Sequence, residues 1–283
     1  MDKLLQWSIA QQSGDKEAMD RIGQPDPKML QQLFGGPDEP TLMKQAIVIL
    51  NNDEATDEAK LVALENFELL IENLDNANNI ENMNMWPSII AQLSSSKPDF
   101  QLLAASIIGV ATQNNPKSQE AFLKHEKGIQ LLTRILKDSS SLDGVVLKAL
   151  FALSSLVRNC DAACKKFVEL DGWNLINLSA AESHHLLLRK LSLISALLSV
   201  GVDESTKSQI SNDYIVVNMS TILVSDGHLG CIEKILNVIG VLKSSGYEFT
   251  DKELELLRKG LDNVAEVENL SKNDIKALKN LFT

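Results

Sequence analysis

Apolar residues recur at steps of three and four along most of the chain from Thr41 onward, which is the spacing of one face of an α-helix. The pattern is strongest in five segments, and each of them ends in a polar turn and is followed by shorter helical stretches. These segments are LVALENFELLIENL, LLAASIIGVATQN, VLKALFALSSLVRN, LLLRKLSLISALLSV and CIEKILNVIGVLKSS. The pattern therefore predicts an all-α protein.

The helical segments repeat at a nearly constant interval. Asp75, Asn114, Asn159 and Val202 mark equivalent points, which are 39, 45 and 43 residues apart. An all-helical repeat of about 40–47 residues is typical of armadillo and HEAT proteins, whose units bury their apolar faces by stacking. We therefore predict a right-handed armadillo-like solenoid of about four repeats with atypical ends. The apolar residues found eight positions after the four points are Met83, Phe122, Phe167 and Ile210.

A glycine marks the same turn in two consecutive predicted repeats. Gly128 and Gly172 are 44 residues apart, and both fall where one helix must turn sharply into the next. Glycine adopts a left-handed backbone without steric cost, so we expect a left-handed conformation at both positions.

The first 40 residues differ from the rest and predict a separate, mobile arm. They hold four of the seven prolines and could form three short helices, at Lys3–Gln12, Asp15–Arg21 and Pro27–Phe34. The sequence GGPDEP that ends this region predicts a linker or a tight turn. We assign residues 1–40 to the arm and residues 41–283 to the solenoid, whose charged end from Thr250 onward predicts a polar cap.

Charge and hydropathy exclude several classes of partner. The chain has 27 basic and 38 acidic residues and a formal charge of −11, so it is a poor partner for DNA or RNA. No apolar run approaches the roughly 18 residues of a membrane span, and the first residues lack the apolar stretch of a signal peptide. The composition therefore predicts a soluble cytoplasmic protein with no nucleic-acid partner and no membrane contact.

Metal-binding side chains are few and poorly spaced. Cys160, Cys164 and Cys231 are too few for a disulfide framework, and we expect them to fill small apolar spaces in a reducing compartment. His184 and His185 are adjacent and point about 100° apart on a helix, which favours a solvated helix start over a metal site. The sequence thus predicts neither a metal nor a cofactor.

Motifs of catalysis and nucleotide binding do not occur in the sequence: there is no glycine-rich phosphate loop, no GxSxG and no HExxH. Glu65, Glu68 and Glu72 share one helix face, where paired catalytic acids are conceivable. A solvated or partner-facing acidic stripe is the simpler interpretation. Since helical repeats usually present a surface to another protein, the sequence favours a binding protein that is not an enzyme.

One alternative is a generic armadillo adaptor that binds a basic peptide in an acidic groove. Armadillo carriers of nuclear import hold such peptides with a Trp and an Asn one turn apart on each third helix. Trp173 and Asn177 have this spacing, but they follow Gly172 and so lie on a second helix, and we expect Trp173 to be a core residue. On the third helices the corresponding pairs are Ser106 with Val110 and Phe151 with Ser155, so the ladder is absent.

Four segments have distinctive sequences. They are MDKLLQWSIAQQSGDKEAM, NFELLIENLDNANNIENM, SIIGVATQNNPKSQEAFL and ALSSLVRNCDAACKKFVELDG. All four strongly resemble the fungal Fes-type nucleotide-exchange factors, a family that includes the animal heat-shock-protein-70-binding proteins. The N-terminal block and the stretch LIENLDNANNIEN are the most specific parts, whereas the C-terminal part of the chain is similar only in its helical pattern.

The resemblance implies a co-chaperone of cytosolic heat-shock protein 70. Members of this family embrace the ATPase domain of the chaperone with the concave armadillo face and grip its second lobe, so that ADP leaves and ATP can enter. The factor itself binds no nucleotide, and we expect it to act as a monomer. A flexible N-terminal segment is implied to mimic a client and to help release bound clients; its apolar cluster is Leu4, Leu5, Trp7 and Ile9.

The resemblance also implies contacts with the chaperone. Ala77, in LDNANN, would lie where the chaperone approaches closely, Arg189, in LLLRKLS, would be a basic contact, and we expect both on an outer face. Other interpretations remain open: Ala77 could be a spacer at a helix terminus, Arg189 could pair with an acid, and the asparagines could cap helix carbonyls. The further candidate contacts are Asn78, Asn79, Asn114, Arg158 and Asn159.

Overall fold

The computed structural model describes Lys16 and residues 37–281. The chain divides into two compact units, Met1–Gln45 and Ala46–Thr283. Lys16 is helical, and the rest of the three short helices predicted for the arm lies outside the described residues. The boundary expected between residues 40 and 41 stays a prediction.

Across residues 37–281 the regular structure is helical and no strand occurs, which confirms the all-α prediction. Two short 3-10 turns accompany the α-helices, at Gly172–Leu175 and Leu198–Val200. The α-helices are α1 (Glu39–Leu50), α2 (Asp57–Leu70), α3 (Leu74–Asn82), α4 (Trp86–Gln92), α5 (Pro98–Thr112), α6 (Pro116–Leu123), α7 (Lys127–Lys137), α8 (Asp143–Val157), α9 (Asp161–Glu169), α10 (His184–Leu197), α11 (Glu204–Asn212), α12 (Ile215–Ile222), α13 (Leu229–Ser244), α14 (Asp251–Asn263) and α15 (Lys272–Leu281).

The helices from α3 to α13 form four consecutive repeats. Each repeat has a first helix of 8 or 9 residues (α3, α6, α9, α11) and a third helix of 14 to 16 residues (α5, α8, α10, α13). Between them lies a second element that is shorter than the third helix. In the four repeats this element is α4, α7, the 3-10 turn Gly172–Leu175 and α12. One more long helix, α2, precedes the first full repeat, and α14 and α15 follow the last one. The predicted armadillo-like solenoid of about four repeats with atypical ends is therefore confirmed.

The long helices α2, α5, α8, α10 and α13 pack side by side in that order. We call the surface that carries Glu68, Lys148, Phe151 and Arg189 the long-helix face. Close packing between α5 and α8 depends on a glycine, because the ring of Phe151 lies against Gly109, where a Cβ atom would stand 2.4 Å from the ring. Any larger side chain at position 109 would displace the ring of Phe151 or separate the two helices.

Gly128 and Gly172 serve close packing rather than a left-handed turn. A Cβ atom on Gly128 would stand 2.4 Å from the ring of Phe122, and one on Gly172 would stand equally close to the ring of Phe167. Neither glycine has a positive φ, so the prediction of a left-handed backbone at these positions is wrong. In the third repeat the left-handed residue is Asp171, with a φ of 63°, directly before the glycine.

The register of the first repeat also differs from the prediction. Helix α3 begins after its N-cap Asn73, whose side chain accepts a hydrogen bond from the backbone N–H of Asp75. Counted from the N-caps, Ile80 is the equivalent of Phe122 and is fully buried, whereas Met83 is only half-buried. The repeat point predicted at Asp75 therefore lies three residues too late. Several polar residues follow one another here, and each of them could start a helix.

A buried ion pair stabilises the third repeat, where the 3-10 turn Gly172–Leu175 replaces a regular second helix. Lys190 of α10 lies with its Nζ 2.5 Å from Glu182 Oε1 and also donates to the backbone carbonyl of Asn177. Both partners of the Lys190 side chain belong to the loop between the turn and α10. The lysine therefore fastens this loop to the long helix.

We expect Lys190→Ala to lower the free energy of unfolding by about 3 kcal/mol, because it leaves the largely buried Glu182 carboxylate without a cation. The exposed pair Lys165–Asp161 on α9, with an N–O distance of 2.7 Å, supplies the control. Lys165→Ala should cost less than about 1 kcal/mol. Chemical denaturation of both variants measures the two losses, and equal losses would contradict the role given to Lys190.

Candidate functional site

Arg189 lies on α10 and faces an aromatic ring rather than an acid. Its guanidinium stacks over Phe151 of α8, with 5.0 Å between Cζ and the ring centroid. Within residues 37–281 no carboxylate forms an ion pair with it, so the alternative of a charge paired with an acid is wrong. The side chain is half-buried, which leaves part of the guanidinium accessible on the long-helix face.

Arg158 lies at the junction of three helices, where it ends α8 as the C-cap residue. Its Nη2 is 3.4 Å from the backbone carbonyl oxygen of Ser192 on α10. Gln119 of α6 donates from Nε2 to the carbonyl oxygens of both Ser155 and Arg158, each over 2.9 Å. Gln119 thus provides hydrogen-bond donors for carbonyls at the end of α8 that lack partners within the helix. The half-buried guanidinium of Arg158 is positioned by its contact with Ser192.

A chain of hydrogen-bonded side chains crosses the long-helix face. Ser106 of α5 donates from Oγ to Glu68 of α2, and Lys148 of α8 donates from Nζ to the same Ser106 oxygen over 2.8 Å. Glu65 is exposed on α2, as predicted for a solvated acidic stripe, whereas Glu72 is exposed in the turn that follows α2, so the three glutamates do not share one helix. The face is therefore acidic at α2 and, with the two arginines described above, basic over α8 and α10.

Ala77 is buried inside the first repeat, with only 3% of its surface exposed. It is the fourth residue of α3, and its carbonyl oxygen accepts a hydrogen bond from Ser118 Oγ of α6 over 3.2 Å. The expectation that Ala77 lies on an outer face is therefore wrong, and so is the alternative of a spacer at a helix terminus. Counted from the N-caps, its equivalent in the second repeat is Gln119, which packs against the end of a long helix.

Asn78 and Asn79 lie inside α3, so the interpretation that they cap a helix end is wrong. Asn79 accepts a hydrogen bond at Oδ1 from Asn82 Nδ2 over 3.1 Å. The side-chain oxygen of Asn78 is buried and has no hydrogen-bond partner among the described residues. The side-chain amide of Asn76, which was not predicted to be a cap, caps the C-terminal end of α2. It donates to the carbonyl oxygen of Leu70 over 2.8 Å.

Asn114 and Asn159 occupy matching positions after α5 and α8. Both have a left-handed backbone, with φ values of 51° and 56°, and asparagine is among the few side chains that tolerate it. The capping amide at the end of α5 belongs to the next residue, Asn115, which donates to the carbonyl oxygen of Ala111 over 3.1 Å. Among the described residues neither the Asn114 nor the Asn159 side chain donates to a helix carbonyl, so the capping role expected for both is wrong, and both exposed side chains are accessible to a partner.

Three of the four residues expected to fill apolar spaces are buried, and Cys160 is the exception. Trp173 is buried in its 3-10 turn, which confirms that prediction. Cys164 and Cys231 are buried as well, and burial raises the pKa of the Cys164 thiol to about 12 and also raises that of Cys231. Cys160 is half-buried. Among the described residues no group of three or more His, Cys, Asp or Glu side chains could hold a metal ion.

His184 and His185 begin α10 and are exposed, as predicted for a solvated helix start. Sequence analysis missed the contact with His228, whose ring stacks on that of His184 with 4.5 Å between centroids. Partial desolvation, together with His185 and His228, lowers the pKa of His184. No local signal indicates this contact, because the two stacked rings come from different repeats.

The N-terminal cluster lies outside the described residues, so its client-release role stays a prediction. Its members are Leu4, Leu5, Trp7 and Ile9. In the part of the chain that the structure describes, no helix combines the length and the apolar character needed to cross a membrane.

Solved structures with this arrangement of helices are armadillo repeat proteins. A designed armadillo repeat protein in complex with the peptide (KR)4 has a TM-score of 0.69 over 85% of this chain and 99% of its own, at 12% sequence identity. A computationally designed armadillo repeat protein for modular peptide recognition has a TM-score of 0.70 over 85% and 100%, also at 12% identity. This likeness establishes the fold alone: the protein is an armadillo-type solenoid.

Two family models together match most of the chain. The model described as nucleotide exchange factor Fes1 matches residues 1–80, and the one described as the SIL1/FES1/HPBP1 C-terminal domain matches residues 76–259. The chain therefore belongs to the Fes1 family of nucleotide exchange factors, which confirms the resemblance seen in the sequence.

Similar proteins in other fungi carry the name Hsp70 nucleotide exchange factor FES1. The protein of Scheffersomyces stipitis is 52% identical over all of both chains. That of Debaryomyces hansenii is 50% identical over 99% of both, and that of Saccharomyces cerevisiae is 42% identical over 99% of both. The similarity thus extends over the whole chain.

Proposed function

We propose that this protein is a nucleotide exchange factor of cytosolic heat-shock protein 70, that it binds the ATPase domain of the chaperone and that it promotes release of ADP. One observation carries the proposal: relatives named Hsp70 nucleotide exchange factor FES1 are similar over the full length, with 52% identity in one case. The similarity covers both the N-terminal region and the repeats, so this chain has both parts in common with those relatives.

The mechanism that fits a protein of this kind is thermodynamic coupling. The factor and ADP each lower the affinity of the chaperone for the other, because the factor binds better to a chaperone whose nucleotide cleft is open. A hundredfold coupling requires only about 2.7 kcal/mol of differential binding. The factor needs no nucleotide site, no cofactor and no catalytic residue of its own.

The long-helix face is the proposed contact surface for the second lobe of the ATPase domain. Arg189 is held over Phe151, so its guanidinium loses little conformational freedom on binding and suits a carboxylate or a carbonyl on the partner. Arg158 lies on the neighbouring end of α8. The exposed amides of Asn114 and Asn159 are proposed contacts at the ends of the two central long helices.

The first repeat contributes in a different way. Asn78 and Asn79 are half-buried on α3 and are proposed contacts at the edge of the interface. Ala77 acts indirectly, because its small side chain lets α3 pack closely against the rest of the first two repeats. A substitution at this position would disturb the interface through the fold.

The N-terminal segment is proposed to help release clients. A short apolar stretch that is tethered to a docked solenoid has an effective concentration on the order of 1 mM near the chaperone. Such a segment could compete with a bound client for the peptide-binding site of the chaperone. We propose further that the protein is cytoplasmic, acts as a monomer and contacts neither nucleic acid nor membranes.

Deletion of residues 1–34 should separate the two activities. We expect ADP release to stay nearly intact, because the proposed exchange surface lies on the repeats, and release of a persistent fluorescent peptide client to slow several-fold. Equal client release by the full-length and truncated proteins would refute the role of the segment. A large loss of thermal stability would show instead that the segment is a structural cap.

The alternative function is an adaptor that binds a basic peptide in an acidic groove. The formal charge of −11 and the exposed Glu65 and Glu72 favour a basic partner at α2. Lys148, Arg158 and Arg189 disfavour one along the centre of the long-helix face.

A stopped-flow assay tests the proposed function. Cytosolic heat-shock protein 70 is loaded with a fluorescent ADP analogue and mixed with excess ATP and with this protein. The expected result is a strong acceleration of analogue release that saturates with factor concentration. No acceleration at several-fold molar excess of a folded protein would overturn the proposal, whereas binding of a poly-arginine peptide without any exchange activity would support the adaptor.

A further inference from the structure

A groove of about 530 Å³ separates the first helices of the third and fourth repeats, α9 and α11. Trp173, Cys164 and Leu197 are its buried lining residues. Val168 lines it from α9, and Val200 lines it from the connection before α11. We call this the α9–α11 groove. None of its lining residues is among the candidate contacts of the chaperone.

A longer connection between repeats lines the groove. The segments that lead into α6 and α9 contain three residues each, 113–115 and 158–160, whereas the one that leads into α11 contains six, 198–203. The added residues form a 3-10 turn that ends at Gly201, whose φ of 116° suits glycine. Residues 200–203 of this longer connection line one side of the space between the two helices.

Apolar surface is exposed in the α9–α11 groove. Val168 is 45% exposed and Val200 is 38% exposed. The indole of Trp173 and the side chain of Leu197 lie below them in the same space. Apolar side chains gathered around a concave, partly aromatic floor are typical of a site that holds a side chain of another molecule.

The rim of the groove is acidic. Asp161 forms an ion pair with Lys165 over 2.7 Å, whereas among the described residues neither Glu169 nor Asp203 forms one. Asp203 is the N-cap of α11, and the hydrogen bond that it accepts from the backbone N–H of Thr206 lowers its pKa and keeps the carboxylate ionised. Because this carboxylate also occupies the N-terminus of α11, an anionic ligand is disfavoured there.

We propose that the α9–α11 groove binds a short extended segment of a partner protein in which a lysine or arginine lies next to a bulky apolar side chain. The apolar side chain would rest between the two valines above Trp173, and the cation would face Glu169 and Asp203. This site is separate from the long-helix face. It therefore gives the protein a second docking surface that does not depend on the proposed exchange function.

Tryptophan emission provides a direct binding assay. The probe is a fluorescein-labelled peptide, Gly-Arg-Leu-Arg-Val-Arg-Gly, whose binding is followed by anisotropy, and its unlabelled form is used for emission measurements. We expect saturable binding by the full-length protein and a saturable change in emission that Trp173→Phe removes while anisotropy still reports binding. A peptide with glutamates in place of the arginines, and one with serines in place of the apolar residues, should bind at least about tenfold more weakly.

Matched variants locate the site. Glu169→Lys and Val168→Asn change exposed residues of the groove, and together they should weaken peptide binding about tenfold. Glu120→Lys on α6 and Val224→Asn before α13 are equally exposed substitutions outside the groove and should leave binding unchanged. Equal weakening by the two pairs would overturn the proposal, and so would equal binding of the glutamate peptide. Thermal melts of all four variants verify that each is folded.

Discussion

Ala77→Arg is expected to destabilise the first two repeats by about 4 kcal/mol. Ala77 is 3% exposed, and its neighbours include Ser118 of the next first helix, which donates a hydrogen bond to its carbonyl oxygen. An arginine there must either bury an unpaired guanidinium or force α3 away from α6, and each outcome is strongly unfavourable. Thermal and chemical denaturation measure the loss, which should be accompanied by a loss of exchange activity.

A matched control separates burial from the mere presence of an arginine. Ala162 is an exposed alanine in the first turn of α9, another first helix. Ala162→Arg should change stability by no more than about 0.5 kcal/mol, since surface substitutions without special contacts are nearly neutral. If Ala77→Arg melts like the unmodified protein but no longer accelerates ADP release, Ala77 contacts the chaperone directly and its indirect role is wrong.

The sequence predicted the architecture because the architecture is periodic. Apolar spacing defined the long helices, and the interval between Asn114 and Asn159 corresponds to one structural repeat. The same logic failed at Asp75, where local signals for a helix start are crowded and only packing selects Asn73 as the N-cap. The sequence period thus predicts the number of repeats more accurately than it predicts the residue at which each repeat begins.

Contacts between repeats could not be predicted, because they join residues about 40 positions apart. Gly109 illustrates this limit, because the ring that occupies the space of its Cβ atom belongs to Phe151 in the next repeat. Burial of Ala77 was equally hidden, because an alanine in a polar sequence gives no sign of the neighbouring helix. Contacts of Arg189 with Phe151 and of Lys148 with Ser106 also became visible only in the folded structure.

Arg189→Ala should slow exchange about tenfold while leaving the protein folded. The stack of the guanidinium on Phe151 contributes roughly 0.5–1 kcal/mol, so its loss costs little stability. Loss of an arginine near the centre of a protein interface typically costs more than about 1 kcal/mol of binding, and a loss of about 1.4 kcal/mol corresponds to tenfold in affinity. The stopped-flow assay at subsaturating factor concentration measures the effect, and circular dichroism confirms the fold.

Two further variants identify which property of Arg189 matters. Arg134 of α7 is an exposed arginine with its Nη2 3.4 Å from Ser94 Oγ, away from the long-helix face, and Arg134→Ala should leave exchange unchanged. Arg189→Lys keeps the charge but loses the planar donor group that stacks on Phe151, so we expect it to recover only part of the lost activity. Full activity of Arg189→Ala, or an equal loss in Arg134→Ala, would show that the chaperone binds elsewhere. A partial rescue by lysine indicates that both the charge and its fixed orientation contribute to binding, as a guanidinium held in place by a neighbouring ring requires.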